Sequence, residues 1–155
     1  MSALVRFFQS TILSKVVMAG TGLVLVLFIL GHMIGNLQMH IGQDKMNVYA
    51  ETLQNLGGAL WLIRSALLLF LVLHVITSIR LKALNLSARP EAYAFKNTVK
   101  ATLASRTMIW TGVMIFLFVV YHLLHFTVKA TNPQYGGLFD ALGRHDVYSM
   151  VVLGY

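Results

Sequence analysis

Hydrophobic positions in this chain gather into three long runs, roughly Ile12 to Gly35, Ala59 to Ile79 and Thr107 to Val128. Polar connections separate them and hold most of the charge. Each run offers the ~20 apolar residues that a helix needs to cross the ~30 Å hydrocarbon layer. A further apolar stretch, Asp146 to Tyr155 (DVYSMVVLGY), begins with an acid in its first turn, as a helix would. Its ten residues are too few to cross. The pattern predicts an all-α transmembrane helical bundle, a single membrane domain over residues 1–155. It has three full spans and the start of a fourth, and it reads as the front part of a longer, C-terminally truncated protein.

Composition agrees. Of 155 residues 57% are hydrophobic and 11% charged, with a mean hydropathy of +0.73. A water-soluble domain of this size needs a larger charged fraction to cover its surface. Cysteine is absent. That excludes disulfides, thiolate ligands, iron–sulfur clusters and c-type haem attachment, so a redox centre here must be held by histidine or methionine. Residues Met1 to Ser14 contain one Arg and no small-residue cleavage site after a short apolar core, so the first span reads as retained and not as a signal peptide.

The net charge of +7 is read as membrane topology and not as affinity for nucleic acid. The connection between the second and third spans carries Arg80, Lys82, Arg89, Lys96, Lys100 and Arg106 against Glu91. The first connection, Asn36 to Gly58, carries Lys45 against Asp44 and Glu51. The positive-inside rule places the basic connection in the cytoplasm, and with it the N-terminus bearing Arg6 and Lys15. Topology alone accounts for the basic run; docking of an acidic partner or lipid head groups is an added use.

An internal repeat singles out histidines. Thr21-Gly22-x4-Leu27-Phe28-x3-His32 recurs ninety residues on as Thr111-Gly112-x4-Leu117-Phe118-x3-His122. Both helices run outward, so His32 and His122 are expected at similar depths near the outer side. Phe70 precedes His74 by four, as Phe28 and Phe118 precede theirs. That spacing puts the ring one turn below the imidazole on the same face, where the edge of a flat macrocycle needs an apolar wall. His74 lies on the oppositely directed helix, about 22 Å in from its outer start at 1.5 Å per residue. His32 and His122 are therefore expected to share one iron near the outside, and His74 to serve a second site nearer the cytoplasm. The ninety-residue offset places the missing partner of His74 near position 164, beyond Tyr155.

A histidine in a transmembrane helix also serves to hydrogen-bond a neighbouring helix. Intramembrane ionisable groups are nevertheless costly and by default suggest function. Haem ligation is the reading favoured by three histidines in three spans, two of them in a repeat. Bis-histidine ligation gives a low-spin b-type haem with both axial positions filled, suited to electron transfer and not to oxygen chemistry.

Other residues carry two readings each. His125 stands three residues after His122, where the repeat has only Gly35, so it is expected to support the ligands or face the outer surface near quinone. His40 and His145 fall in outer connections and are expected to be solvated. Arg64, early in the second span, either snorkels to the interface or pairs with haem propionates. Gly20, Gly22, Gly31 and Gly35 suit close helix packing or room for a macrocycle equally well.

The runs SKVVMAGTGLVLVLFILGHMIGNL, NVYAETL, RSALLLFLVLHV and SRTMIWTGVMIFLFVVYHLLHF resemble the dihaem cytochrome b subunit of succinate:quinone oxidoreductases (succinate dehydrogenase and fumarate reductase), of the single-anchor type. The resemblance covers nearly the whole chain. It implies five spans in the complete protein and two b haems, the distal one held by His32 and His122. The proximal one would be held by His74 and a fourth-span ligand that this sequence lacks. It also implies a bacterial inner-membrane location. The partners would be a flavoprotein subunit and an iron–sulfur subunit on the cytoplasmic side, and electrons would pass to menaquinone or another quinone.

On that reading the chain is a subunit of an enzyme and has no catalytic residues for succinate itself. Quinone reduction requires proton donors, for which Gln43, Asp44 and Glu51 are candidates, Glu51 being preferred. The plain alternative for Glu51 is a solvated loop carboxylate. Two alternatives to the whole reading are a cytochrome b anchor of a formate dehydrogenase or hydrogenase, and a transporter or scaffold that uses its histidines for packing or proton relay.

Overall fold

A computed structural model describes residues 10–88, 91, 95 and 98–154. Five α-helices are found among them: α1 (Thr11–Asn36), α2 (Gln43–Gln54), α3 (Gly58–Ser87), α4 (Leu103–His122) and α5 (Val147–Gly154). Among the described residues the only bridge between extended positions is Phe139 with His145. Arg6, Arg89 and Lys96 lie outside the described residues.

The three expected spans are helices, each somewhat longer than its apolar run. Ser10 caps α1 by accepting a hydrogen bond from the Leu13 amide at 3.3 Å, and Thr102 caps α4 through the Ser105 amide at 3.2 Å. α3 continues past Ile79 to Ser87, carrying Arg80 and Lys82 in helical form. Leucines at 81, 84 and 86 sustain it. It ends three residues before Pro90, whose ring disfavours helical backbone in the residue ahead. At 30 residues, α3 is ~45 Å long, more than the hydrocarbon is thick. His74 thus stands near the middle of the helix and ~9 Å along its axis from Arg80.

Two elements depart from the expected pattern. The first connection contains α2, a polar helix entered with Asp44 in its first turn. Gly57, at φ 53°, then supplies the left-handed turn into α3 that a side chain would oppose. The third span does not end as a regular helix. Leu123–Thr127 widen into a π-helical turn, closed by Val128 N–H donating to the Leu123 carbonyl at 2.8 Å.

Burial is inverted relative to a water-soluble fold. Leu23, Leu27, Ile34, Leu62, Leu68, Ile76, Met114 and Leu117 are exposed, whereas Ser14, Thr21, Asn47, His125 and Asp146 are buried. The apolar faces of a soluble protein turn inward; here they turn outward, as lipid solvation requires. Three helices, Thr11–His40 (with its terminal 3₁₀ turn), Gly58–Ser87 and Leu103–Thr127, are long and apolar enough to cross a membrane. The chain is a helical membrane protein.

The described residues fall into two units, one within Met1–His40 and Thr52–Ala92, the other within Ile41–Glu51 and Tyr93–Tyr155. In the first, α1 packs antiparallel against α3. In the second, the start of α2 meets the segment from Leu138 through the beginning of α5.

Candidate functional site: histidines in the spans and a polar cluster at their end

In the first unit, polar side chains join α1 to α3 at two levels. Near the basic end Arg80 Nη1 donates to Ser14 Oγ at 2.7 Å, while Ser14 Oγ donates to the Ser10 carbonyl at 3.1 Å. About 10 Å further along α1 the partner is His74. Its Nδ1 lies 3.2 Å from the Met18 carbonyl and 3.3 Å from Thr21 Oγ1. Thr21 Oγ1 is itself 2.7 Å from the Val17 carbonyl, to which it donates. A carbonyl only accepts, so in the neutral imidazole Nδ1 carries the proton and Nε2 keeps its lone pair. That tautomer fits a histidine whose Nε2 holds a metal while Nδ1–H is anchored on a backbone carbonyl.

Gly22 makes the close approach possible. A Cβ at that position would stand 3.1 Å from His74 Cε1 and 3.4 Å from Nδ1. Nothing lies within 4 Å of the corresponding place at Gly20 or Gly31. Of the two uses expected for these glycines, Gly22 serves close packing, and the side chain that it admits is an imidazole.

His32 lies near the C-terminal end of α1, with Phe28 stacked on it at 5.5 Å between ring centroids and 20° between planes. His122 is the last residue of α4, stacked on Phe118 at 5.7 Å and 29°. The repeat thus has the same local geometry twice, as an i, i+4 aromatic pair on one helical face. His32 and His122 stand in separate units, each built on its own helix. Among the described residues no group of three or more His, Cys, Asp and Glu side chains gathers as for a free metal ion. A haem iron needs only two axial side chains.

Arg64 is exposed, with its guanidinium 5.1 Å from the centre of the Trp61 ring, a cation–π arrangement. Glu51 lies exposed on α2, and His40 is exposed.

The second unit holds what sequence reasoning missed. Asn47, 0% exposed, donates from Nδ2 to Asp146 Oδ1 at 3.0 Å and Asp140 Oδ2 at 3.2 Å, and accepts from the Tyr148 amide at 3.0 Å. Gln43 donates to Asp146 Oδ2 at 2.8 Å. Arg144 bridges Asp140 and Asp44, each at 2.8 Å. Two of the three candidate proton donors, Gln43 and Asp44, are therefore engaged in structure. Asp146 also accepts from the Ser149 amide at 3.1 Å and caps α5, one residue ahead of its first turn.

Electrostatics follow the bonding. Burial opposes ionisation of Asp140, but hydrogen bonds from the Arg144 side chain and amide, Asn47 and the Leu142 amide pull its pKa down to about 2. Asp146 is likewise raised by burial and lowered further by Ser149, Asn47 and Gln43, for a net fall below its ordinary value. Hydrogen bonds to Asp44 and Asp140 hold Arg144 above its ordinary value.

His125, within the π turn, is 4% exposed. Its Nδ1 is 2.6 Å from Thr131 Oγ1, its ring stacks on Tyr121 at 5.3 Å, and Tyr135 meets it edge-on at 5.5 Å. It belongs to the packed end of the third span and not to an outer surface. His145, expected in solvent, is half-buried: it stacks on Phe139 at 5.4 Å and accepts from Lys129 Nζ at 3.1 Å. The hairpin closed by the Phe139–His145 bridge brings the two rings together.

No family model, curated protein or solved structure matches the chain.

Proposed function

We propose that this chain is a membrane-anchor cytochrome b that passes electrons between a cytoplasmic dehydrogenase and quinone, as the anchor subunit of a succinate:quinone oxidoreductase. The observation that carries the proposal is the pair of Phe–His stacks, Phe28–His32 and Phe118–His122, repeated in type and register, each near the C-terminal end of its own span. Packing alone does not ask two helices to repeat a costly intramembrane group together with its aromatic neighbour. The Nδ1–H form of His74 adds a third side chain in the protonation state that an iron ligand needs.

On this reading His32 and His122 hold the distal haem, and His74 contributes one ligand to the proximal haem. When bound, the haems would supply one-electron carriers at two depths. The residues of the chain hold and orient them: Phe28 and Phe118 wall off the ring edges, Gly22 and the Met18 carbonyl set His74, and Arg64 is available to propionates at the outer interface. Glu51 remains the residue assigned to the quinone side, and the buried His125 supports the end of the span that carries His122. The basic end of α3, with Arg80 and Lys82, would face the iron–sulfur and flavoprotein subunits in the cytoplasm, in a bacterial inner membrane.

Reduced-minus-oxidised spectra of the purified protein test the proposal. Two b-type components are expected. His32→Ala and His122→Ala should each remove the same one, and His74→Ala the other. Absence of b-type bands from the wild type would refute haem binding. Bands without a co-purifying succinate-oxidising flavoprotein would instead favour another quinone-linked dehydrogenase or hydrogenase.

A further inference from the structure

We infer that Thr21 and Gly22 of α1 are positioning residues for His74, fixing which ring nitrogen is presented away from α1 and how electron-rich it is. The inference rests on the proposal that His74 Nε2 holds a haem iron.

The hydrogen on Thr21 Oγ1 is directed to the Val17 carbonyl at 2.7 Å, so the oxygen turns a lone pair toward His74 Nδ1 at 3.3 Å. The Met18 carbonyl, one turn earlier, is a second acceptor at 3.2 Å. Two acceptors from one helix hold Nδ1–H toward α1, and the geometry of the ring then points Nε2 away from α1. Gly22 leaves the space that the ring edge occupies, since a Cβ there would come within 3.1 Å of Cε1. Thr21 is 6% exposed, so little water competes for the contact. Acceptors on Nδ1–H increase the basicity of Nε2. A more basic axial ligand favours the oxidised iron, so this seat lowers the potential of the haem at His74 and leaves the other haem unaffected.

The experiment compares wild type, Thr21→Val, Thr21→Ser, Gly22→Ala and Gly20→Ala in the assembled, haem-loaded protein. Redox titration follows each b component, and nitrogen-15 histidine NMR of the reduced, diamagnetic protein follows the His74 Nδ1–H. Thr21→Val should move one component, the one lost in His74→Ala, to more positive potential and shift the Nδ1–H resonance. Thr21→Ser should restore both. Gly22→Ala keeps helix propensity and should perturb the same component by pushing the ring. Gly20→Ala, with open space at its Cβ, should not. If both components are present and neither Thr21→Val nor Gly22→Ala moves the potential or the resonance, the inference is wrong while the haem reading stands. An equal effect of Gly20→Ala also overturns it. A wild type without b-type bands brings down both.

Discussion

Replacing Asn47 with Ala tests whether the cluster in the second unit is what fastens α2 to the start of α5. Asn47 is fully buried and spends both ends of its amide there: Nδ2 donates to Asp146 and Asp140, and Oδ1 accepts from the Tyr148 amide. Losing the neutral bond to Tyr148 costs about 1 kcal/mol, and losing the charge-assisted bond to Asp146 about 1.5 kcal/mol more. The Asp140 contact is left out of the sum because Arg144 and two amides still serve that carboxylate. A local destabilisation of about 2.5 kcal/mol corresponds to a ~70-fold rise in opening. Hydrogen exchange in lipid nanodiscs reads it directly. The amides of Tyr148 and Ser149 should lose one to two decades of protection, while those around Leu68 in α3 keep theirs. Unchanged exchange at Tyr148 would mean that the cluster is incidental to the docking. Equal loss throughout α3 would mean that Asn47 acts globally and not at the segment it touches.

Three further outcomes are expected. The carboxyl carbon of Asp140 should titrate near pH 2 and not near its ordinary value of 3.8. Because the folded pKa is depressed, the stabilisation from Asp140 is present above about pH 4 and is lost as pH falls toward 2. Arg144→Gln should move that titration upward, and an unshifted Asp140 in this variant would rule out the guanidinium as the cause. The chain has no cysteine, so single introduced cysteines report topology cleanly: Lys100→Cys should react with impermeant thiol reagents only from the cytoplasmic side, and Leu142→Cys only from the opposite side. Labelling of both from one side would refute the orientation. Ser14→Ala removes one acceptor of Arg80 and should lower the thermal stability of the α1–α3 pair, by about 1 kcal/mol. A change within error would mark that contact as expendable.

What could be read in advance depended on how local the determining forces are. Spans are set by the length of apolar runs, and the helices at Thr11–Asn36, Gly58–Ser87 and Leu103–His122 follow from that requirement. The Phe28–His32 and Phe118–His122 stacks were legible for the same reason, since i, i+4 neighbours meet on any helix. The extension of α3 past Ile79 was not, because hydropathy marks the edge of the hydrocarbon and not the end of the helix. Nor was the polar cluster, in which Asn47 meets Asp146 ninety-nine positions away. No periodicity announces such a pairing. His145 illustrates the error that follows: a loop histidine looks solvated until a hairpin folds Phe139 over it. The seat for His74 falls between these cases. Thr21 and Gly22 stood out as part of a repeat, but their use as neighbours of His74 required α1 and α3 to be seen together.

The π turn at Leu123–Thr127 is where the winding of the third span ends. A turn wider than the regular helix sets its side chains at angles that regular winding would not reach. His122 is the last residue wound in step with Phe118, whereas Lys129 and Thr131 follow the turn outside any helix, Lys129 with φ 60°. The turn works as a splice: sequence changes in the segment that follows it need not disturb the bearing of His122. Shortening the turn by one residue would leave the Phe118–His122 stack in place while moving Thr131 relative to His125, so damage would fall on the segment after the turn.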